Sequence, residues 1–142
     1  VSVATDLSWV FYGRSDFDVD INAWNVSCVT NMNSMFTGAS TFNQPLGAWD
    51  VSKVTDMNDM FSAASAFNQD LAAWNVGSVT RFERFFQTAA AMIGCNILAL
   101  DTSDCPSHAI QASFAAQVGS KWTASYYDFG PRLDLQTAVR EW

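Results

Sequence analysis

The sequence predicts an α/β repeat fold. Coils of 25 residues stack on one another, each supplying one short parallel β-strand and one short helix, and an irregular or helical segment closes the C-terminal end. Trp24, Trp49 and Trp74 recur at a constant interval of 25 residues. Their surroundings recur with them: Trp24-Asn25-Val26-Ser27 aligns with Trp49-Asp50-Val51-Ser52 and Trp74-Asn75-Val76-Gly77, with no shift. A period of this length marks units that cannot bury an apolar face alone and lean on their neighbours.

The first coil is entered part-way through. Ser2, Thr5, Leu7, Val10 and Phe11 stand where Ser27, Thr30, Met32, Met35 and Phe36 stand one period later. An array end normally carries a polar cap. The open start therefore leads us to expect a processed or partial piece of a longer protein.

Within each coil, Val29, Met32, Met35 and Phe36 fall at i, i+3, i+6 and i+7, the spacing of one helical face. Thr30, Thr55 and Thr80 precede that face as N-cap candidates. Asp56 and Asp59 suit a helix start, and Gly38 suits a helix stop. The other half of the coil, Gln44-Pro45-Leu46-Gly47-Ala48-Trp49, reads as the strand, with Ile21, Leu46 and Leu71 pointing inward. The Asp18, Asn43, Asn68 column and the Asn25, Asp50, Asn75 column read as turn-bonding side chains.

After Phe86 the pattern decays. A fourth copy can be drawn with one inserted residue, placing Ile93, Ile97 and Leu100 on the Phe67, Leu71 and Trp74 columns, with Asp101 and Cys105 behind them. This gives a repeat region over 1–106, clean to 90 and degenerate over 91–106, followed by a C-terminal cap or docking segment over 107–142. Residues 107–118 read as a helix whose Ile110, Phe114 and Val118 stripe would lie across the end of the stack. Beyond it, Trp122, Tyr126, Tyr127 and Phe129 crowd a loop-like stretch. Large aromatics with polar handles anchor partner surfaces, although they could equally cover the last coil. That stretch and the uncapped first coil are the expected docking surfaces.

Phe67 to Thr80 (Phe-Asn-Gln-Asp-Leu-Ala-Ala-Trp-Asn-Val-Gly-Ser-Val-Thr) and Trp49 to Phe61 (Trp-Asp-Val-Ser-Lys-Val-Thr-Asp-Met-Asn-Asp-Met-Phe) closely resemble the BspA-like leucine-rich repeats of bacterial surface proteins, mycoplasma lipoproteins and many algal and protist proteins. The resemblance covers residues 1 to about 90. It implies a right-handed, leucine-rich-repeat-like solenoid that mediates adhesion or protein contact, often on a cell surface, and it brings no catalytic residues. Leu135 to Trp142 is weakly similar to the Leu-x-x-Ala-Val-x-x-Trp segment that opens blocks of such repeats in algal and protist members.

Composition bounds the partners. Seven basic against fourteen acidic side chains leave a net charge of −7. That argues against nucleic acid and against charge-driven docking on anionic lipid. No apolar run approaches the ~20 residues of a membrane-spanning helix. Cys28 shares a variable column with Lys53 and Ser78. A Cys95–Cys105 bridge would close a short loop and pin the end of the stack, and the two thiols could equally stay free. This leans the location toward an oxidising compartment, a cell surface or an organelle lumen, and away from the nucleus.

Catalytic and metal readings are weak. Cys95, Cys105 and His108 would give three zinc ligands without an evident fourth. Cys105 with His108 as a nucleophile pair lacks an orienting third group. The pairs Asp18 with Asp20 and Asp56 with Asp59 are better explained as loop acids than as hydrolytic or calcium sites. No phosphate loop, nucleophile elbow or dinucleotide fingerprint is present. Asn25-Val26-Ser27 fits the N-glycosylation pattern only as a by-product of the repeat. The expectation is a protein that is not an enzyme, binds no cofactor or metal, and acts through protein contact: adhesion, scaffolding or membership of a larger assembly. One alternative is an accessory extrinsic subunit of a membrane complex in an algal organelle. Another is a carbohydrate-binding or carbohydrate-cleaving module using exposed Trp.

Overall fold

The computed structural model describes residues 3–92 and 106–122. Among them the 25-residue period is visible in the backbone. Single parallel bridges join Asp6 to Asn31, Asn31 to Asp56 and Asp56 to Arg81. Around each bridge, the amides of one coil donate to carbonyls of the coil that follows. Leu7, Trp9, Phe11 and Gly13 donate to Asn31, Asn33, Met35 and Thr37 at 2.7–3.0 Å. The same set runs from Met32, Ser34, Phe36 and Gly38 to Asp56, Asn58, Met60 and Ser62, each at 2.9 Å.

The expected α/β leucine-rich-repeat-like solenoid is not the fold. Residues 29–38 contain no helix, and 44–49 contain no strand; both are turns and irregular backbone. The reason lies in where the amides go. Every second amide bonds locally, as Met35 to Met32, Thr37 to Ser34 and Ala39 to Phe36, and the ones between reach the next coil. A helix needs all of them at i−4. Two backbone positions per coil also sit in the left-handed region, which breaks any helical run: Trp9, Ser34, Asp59 and Arg84 at one, and Gly13, Gly38, Ala63 and Thr88 at the other. Successive three-residue turns still bring i, i+3 and i+4 to one side, so the apolar spacing resembles a helix that never forms. The Thr column does not cap a helix either. Thr30, Thr55 and Thr80 each donate both N–H and Oγ1–H to the carbonyl of Thr5, Thr30 and Thr55, respectively, 25 residues earlier.

Side chains pointing between these turns build the core. Val26, Val29, Met32, Met35, Phe36, Ala39, Phe42 and Leu46, with their counterparts in the next coil, are at most 4 % exposed. Like residues meet like. Phe11, Phe36, Phe61 and Phe86 succeed one another with ring centroids 5.3–5.8 Å apart. Phe17, Phe42 and Phe67 follow at 5.5 and 5.9 Å. Trp49 and Trp74 lie parallel at 6.4 Å. Each indole N–H donates one coil back, from Trp49 to the Ile21 carbonyl and from Trp74 to the Leu46 carbonyl. Burying an indole is favourable only with such a partner, so this bond sets the register.

Residues 90–92 are helical, and α1 spans Pro106–Val118, where the helix over 107–118 was expected. It lies against the fourth coil. Phe82 and Phe85 replace the Met pair there, and Phe114 packs on both. Gln117 takes the place of a further backbone rung: it donates to the Trp74 carbonyl at 2.9 Å and accepts the Val76 N–H at 2.8 Å. Ser113 donates to the Ala72 carbonyl. A 3-10 turn, Gly119–Trp122, then brings Trp122 edge-on to Phe82, Phe85 and Phe114. The Cys95–Cys105 pair, the fourth-copy residues Ile93, Ile97, Leu100 and Asp101, and Leu135 to Trp142 lie outside the described residues.

Candidate interaction surface

The two ends of the stack differ. At the fourth coil, α1 and Trp122 cover the aromatic columns. At the first coil the same columns are open. Val10 is 43 % exposed where Met35 and Met60 are fully buried, and Trp24 is 43 % exposed where Trp49 and Trp74 are 4 % and 1 %. Leu7 and Phe17 are only partly covered. Beside them stand two aromatics that leave the repeat's own pattern. Trp9 occupies the column of Ser34, Asp59 and Arg84, and Tyr12 that of Thr37, Ser62 and Gln87. Both are about half exposed, with ring centroids 4.6 Å apart. Trp9 holds φ 66°, a backbone region bulky residues rarely occupy. Ser34, Asp59 and Arg84 share that conformation in the same column, so it belongs to the repeat. Val3 and Val19 extend the exposed apolar area on this coil.

Of the aromatics expected to meet a partner, Trp122 is 4 % exposed. Its ring completes the packing over the fourth coil, the covering role that the sequence left open beside that of an anchor. Tyr126, Tyr127 and Phe129 lie outside the described residues. The sequence singled out the uncapped first coil without naming its aromatics. Trp9 and Tyr12 were legible as the two large residues in otherwise polar columns.

The carboxylate pairs are occupied by the repeat itself. One oxygen of Asp18 accepts the Asn43 N–H and the Gln44 amide. Asp20 accepts the Asn22 N–H, and Asp56 accepts the Asn58 N–H. Asp59 takes both prongs of Arg84 at 2.8 and 2.9 Å. The Asn43 column bonds between coils, with Asn68 N–H and Gln69 reaching back to Asn43. The Asn25, Asp50, Asn75 column closes local turns, accepting from the second residue onward in each case. The serines beside Asp6 and Asp50, through hydroxyl and amide, hold both carboxyls below the usual carboxylate range. Among the described residues, no cluster of His, Cys, Asp or Glu is placed to hold a metal ion. No helix among them is long and apolar enough to cross a membrane.

A family model described as "Mycoplasma protein of unknown function, DUF285" matches residues 1–122. No curated protein and no solved structure matches the chain.

Proposed function

The chain belongs to that family, and on that premise we propose that it is a non-catalytic protein-contact module displayed at a cell surface, meeting its partner through the aromatics of its first coil. The observation carrying this reading is the Trp9–Tyr12 pair: two large aromatics in columns that are otherwise polar, each about half exposed, with ring centroids 4.6 Å apart. Single exposed apolar residues are ordinary on protein surfaces, whereas a contiguous patch marks an interface. Tyr and Trp are the residues that most often dominate such interfaces.

The carbohydrate reading draws no support from the Trp ladder, because Trp49 and Trp74 are buried against each other and offer no stacking platform. Nothing in the described residues favours an organelle subunit.

The test is capture of partners from the native source by the intact chain and by a Val10→Asp/Tyr12→Ser double variant. Both positions are exposed, so the variant keeps the fold. We expect a partner retained by the native chain and lost by the variant. Recovery of the native chain alone, or equal recovery with both, defeats the proposal.

A further inference from the structure

We propose that Asn25 is a modification site that carries an N-linked oligosaccharide; this goes beyond the protein-contact reading and rests only on the surface display it includes. Asn25-Val26-Ser27 is the one place in the 142 residues where Asn is followed, two positions on, by Ser or Thr. That pattern is the acceptor for N-glycosylation in chains that pass through a secretory compartment. Residue order explains it as a by-product of the repeat. The structure separates the copies.

Each copy turns in the same way. The side-chain Oδ1 of Asn25, Asp50 and Asn75 accepts the backbone N–H two residues on, at 3.0–3.1 Å. A turn of this kind needs only an oxygen, which Asp supplies as well as Asn. An acceptor for sugar needs more: a carboxamide nitrogen at the first position and a hydroxyl at the third. The second copy, Asp50-Val51-Ser52, lacks the nitrogen, and the third, Asn75-Val76-Gly77, lacks the hydroxyl. Only the first has both. There the two groups meet, with the Ser27 hydroxyl donating to Asn25 Oδ1 at 2.6 Å. A donor on that oxygen draws electron density from the carboxamide and loosens the Nδ2 protons. Among the described residues Nδ2 itself donates to nothing, because the turn engages only Oδ1.

The fold leaves room for the product. Asn25, Asp50 and Asn75 are exposed, while the adjoining Val26, Val51 and Val76 are buried. Asp50 and Asn75 are exposed although a coil precedes each, so openness belongs to the column itself. A sugar on Nδ2 therefore extends into solvent without displacing a core side chain. At the third copy, by contrast, Gln117 of α1 holds the flanking Trp74 carbonyl and Val76 amide. The copy without a hydroxyl is thus the one that α1 grips.

In the transfer, a bond forms between Nδ2 and the anomeric carbon of an oligosaccharide carried on a polyprenyl diphosphate. The bond from that carbon to the diphosphate oxygen breaks, polyprenyl diphosphate leaves, and Nδ2 gives one proton to the transferring enzyme. Nothing is oxidised or reduced.

Protein from its native source tests this. Trypsin cuts after Arg14 and Lys53 and releases residues 15–53 in one peptide. Treatment with a peptide N-glycosidase in heavy-oxygen water should convert Asn25 to Asp with uptake of one heavy oxygen. A peptide of unmodified mass before treatment, with no heavy oxygen after it, overturns the site. The repeat supplies variants that keep the turn: Asn25→Asp copies Asp50, and Ser27→Gly copies Gly77. Secreted from a eukaryotic cell, the native chain and Ser27→Thr should each run as a heavier species that the glycosidase collapses. Both other variants should run at the collapsed position, and a heavier species persisting in either overturns Asn25 as the site. Surface labelling of the native cells separates this proposal from the display it rests on. A labelled chain with Asn25 unmodified overturns the sugar alone; a chain neither labelled nor modified overturns both.

Discussion

Replacing Trp by Phe at positions 24, 49 and 74 is one perturbation applied three times in one molecule, and the structure assigns it unequal costs. At Trp49 the change removes the indole N–H, which donates at 3.0 Å to the buried Ile21 carbonyl. That carbonyl still accepts the Trp24 N–H, so what is lost is one hydrogen bond, about 0.5–1.5 kcal/mol. The smaller ring also gives up roughly 30–40 Å² of buried apolar contact, about 1 kcal/mol at ~25 cal/mol per Å². The sum is about 1.5–2.5 kcal/mol. Trp74 stands in the same relation to the Leu46 carbonyl, at 2.9 Å, and should cost the same. Trp24 is 43 % exposed, so its replacement should cost less than about 1 kcal/mol, as surface changes do. Urea unfolding followed by circular dichroism measures all three, provided the dependence on urea concentration is unchanged between variants. Equal costs at the three positions, or a largest cost at Trp24, would refute the stacking register and the open first coil together.

The left-handed column gives a second test: Ala63 and Thr88 hold φ 57° and 56°, a region costing an L side chain about 1–2 kcal/mol, so Ala63→Gly should raise stability by roughly 0.5–1 kcal/mol after the unfolded chain's added freedom is counted. Gly38→Ala should lower it by about 1 kcal/mol, because the new Cβ meets only ordinary contacts, 3.5 Å from the Gly13 Cα, and the cost is backbone alone. Thermal melts of both decide it; a neutral Gly38→Ala would contradict the φ assignment. Gln117→Leu should free the Val76 amide and the Trp74 carbonyl, costing about 1–3 kcal/mol, and hydrogen exchange at Val76 should accelerate; unchanged exchange would mean α1 is not held by this side chain. Finally, the Asp6 and Asp50 carboxyls are held low by Ser8 and Ser52, so folding favours their ionised forms. Their stabilisation is present above the unfolded carboxylate value and is lost as pH falls through the lower folded value. Asp50→Asn keeps the turn, as Asn25 and Asn75 do, and should flatten the acid limb of the unfolding midpoint; an unchanged limb would remove Asp50 from that account.

Much of this was legible in residue order. The period, the inward columns and the helix near Ser107 all follow from spacing, because apolar residues must share a side wherever the chain turns. The local backbone was not. Val29, Met32, Met35 and Phe36 satisfy a helix and a chain of three-residue turns equally well, since both place i, i+3 and i+4 together. Ser34 and Asp59 gave no sign of a left-handed backbone, and only Gly13 and Gly38 hinted at one. The Asn43 and Thr30 columns were read as local caps and turns because those are the bonds visible within a few residues; their partners stand 25 residues away.

The amino-acid order alone determined which side chains are interior and at what interval they recur, because hydrophobic burial depends only on which residues share a face. Which amides bond within a coil and which bond to the next was decided by the tertiary structure. A backbone N–H can serve one acceptor well, and only once coils lie about one hydrogen bond apart does the acceptor in the neighbouring coil compete with the one four residues back. That choice replaced helix and strand by turns.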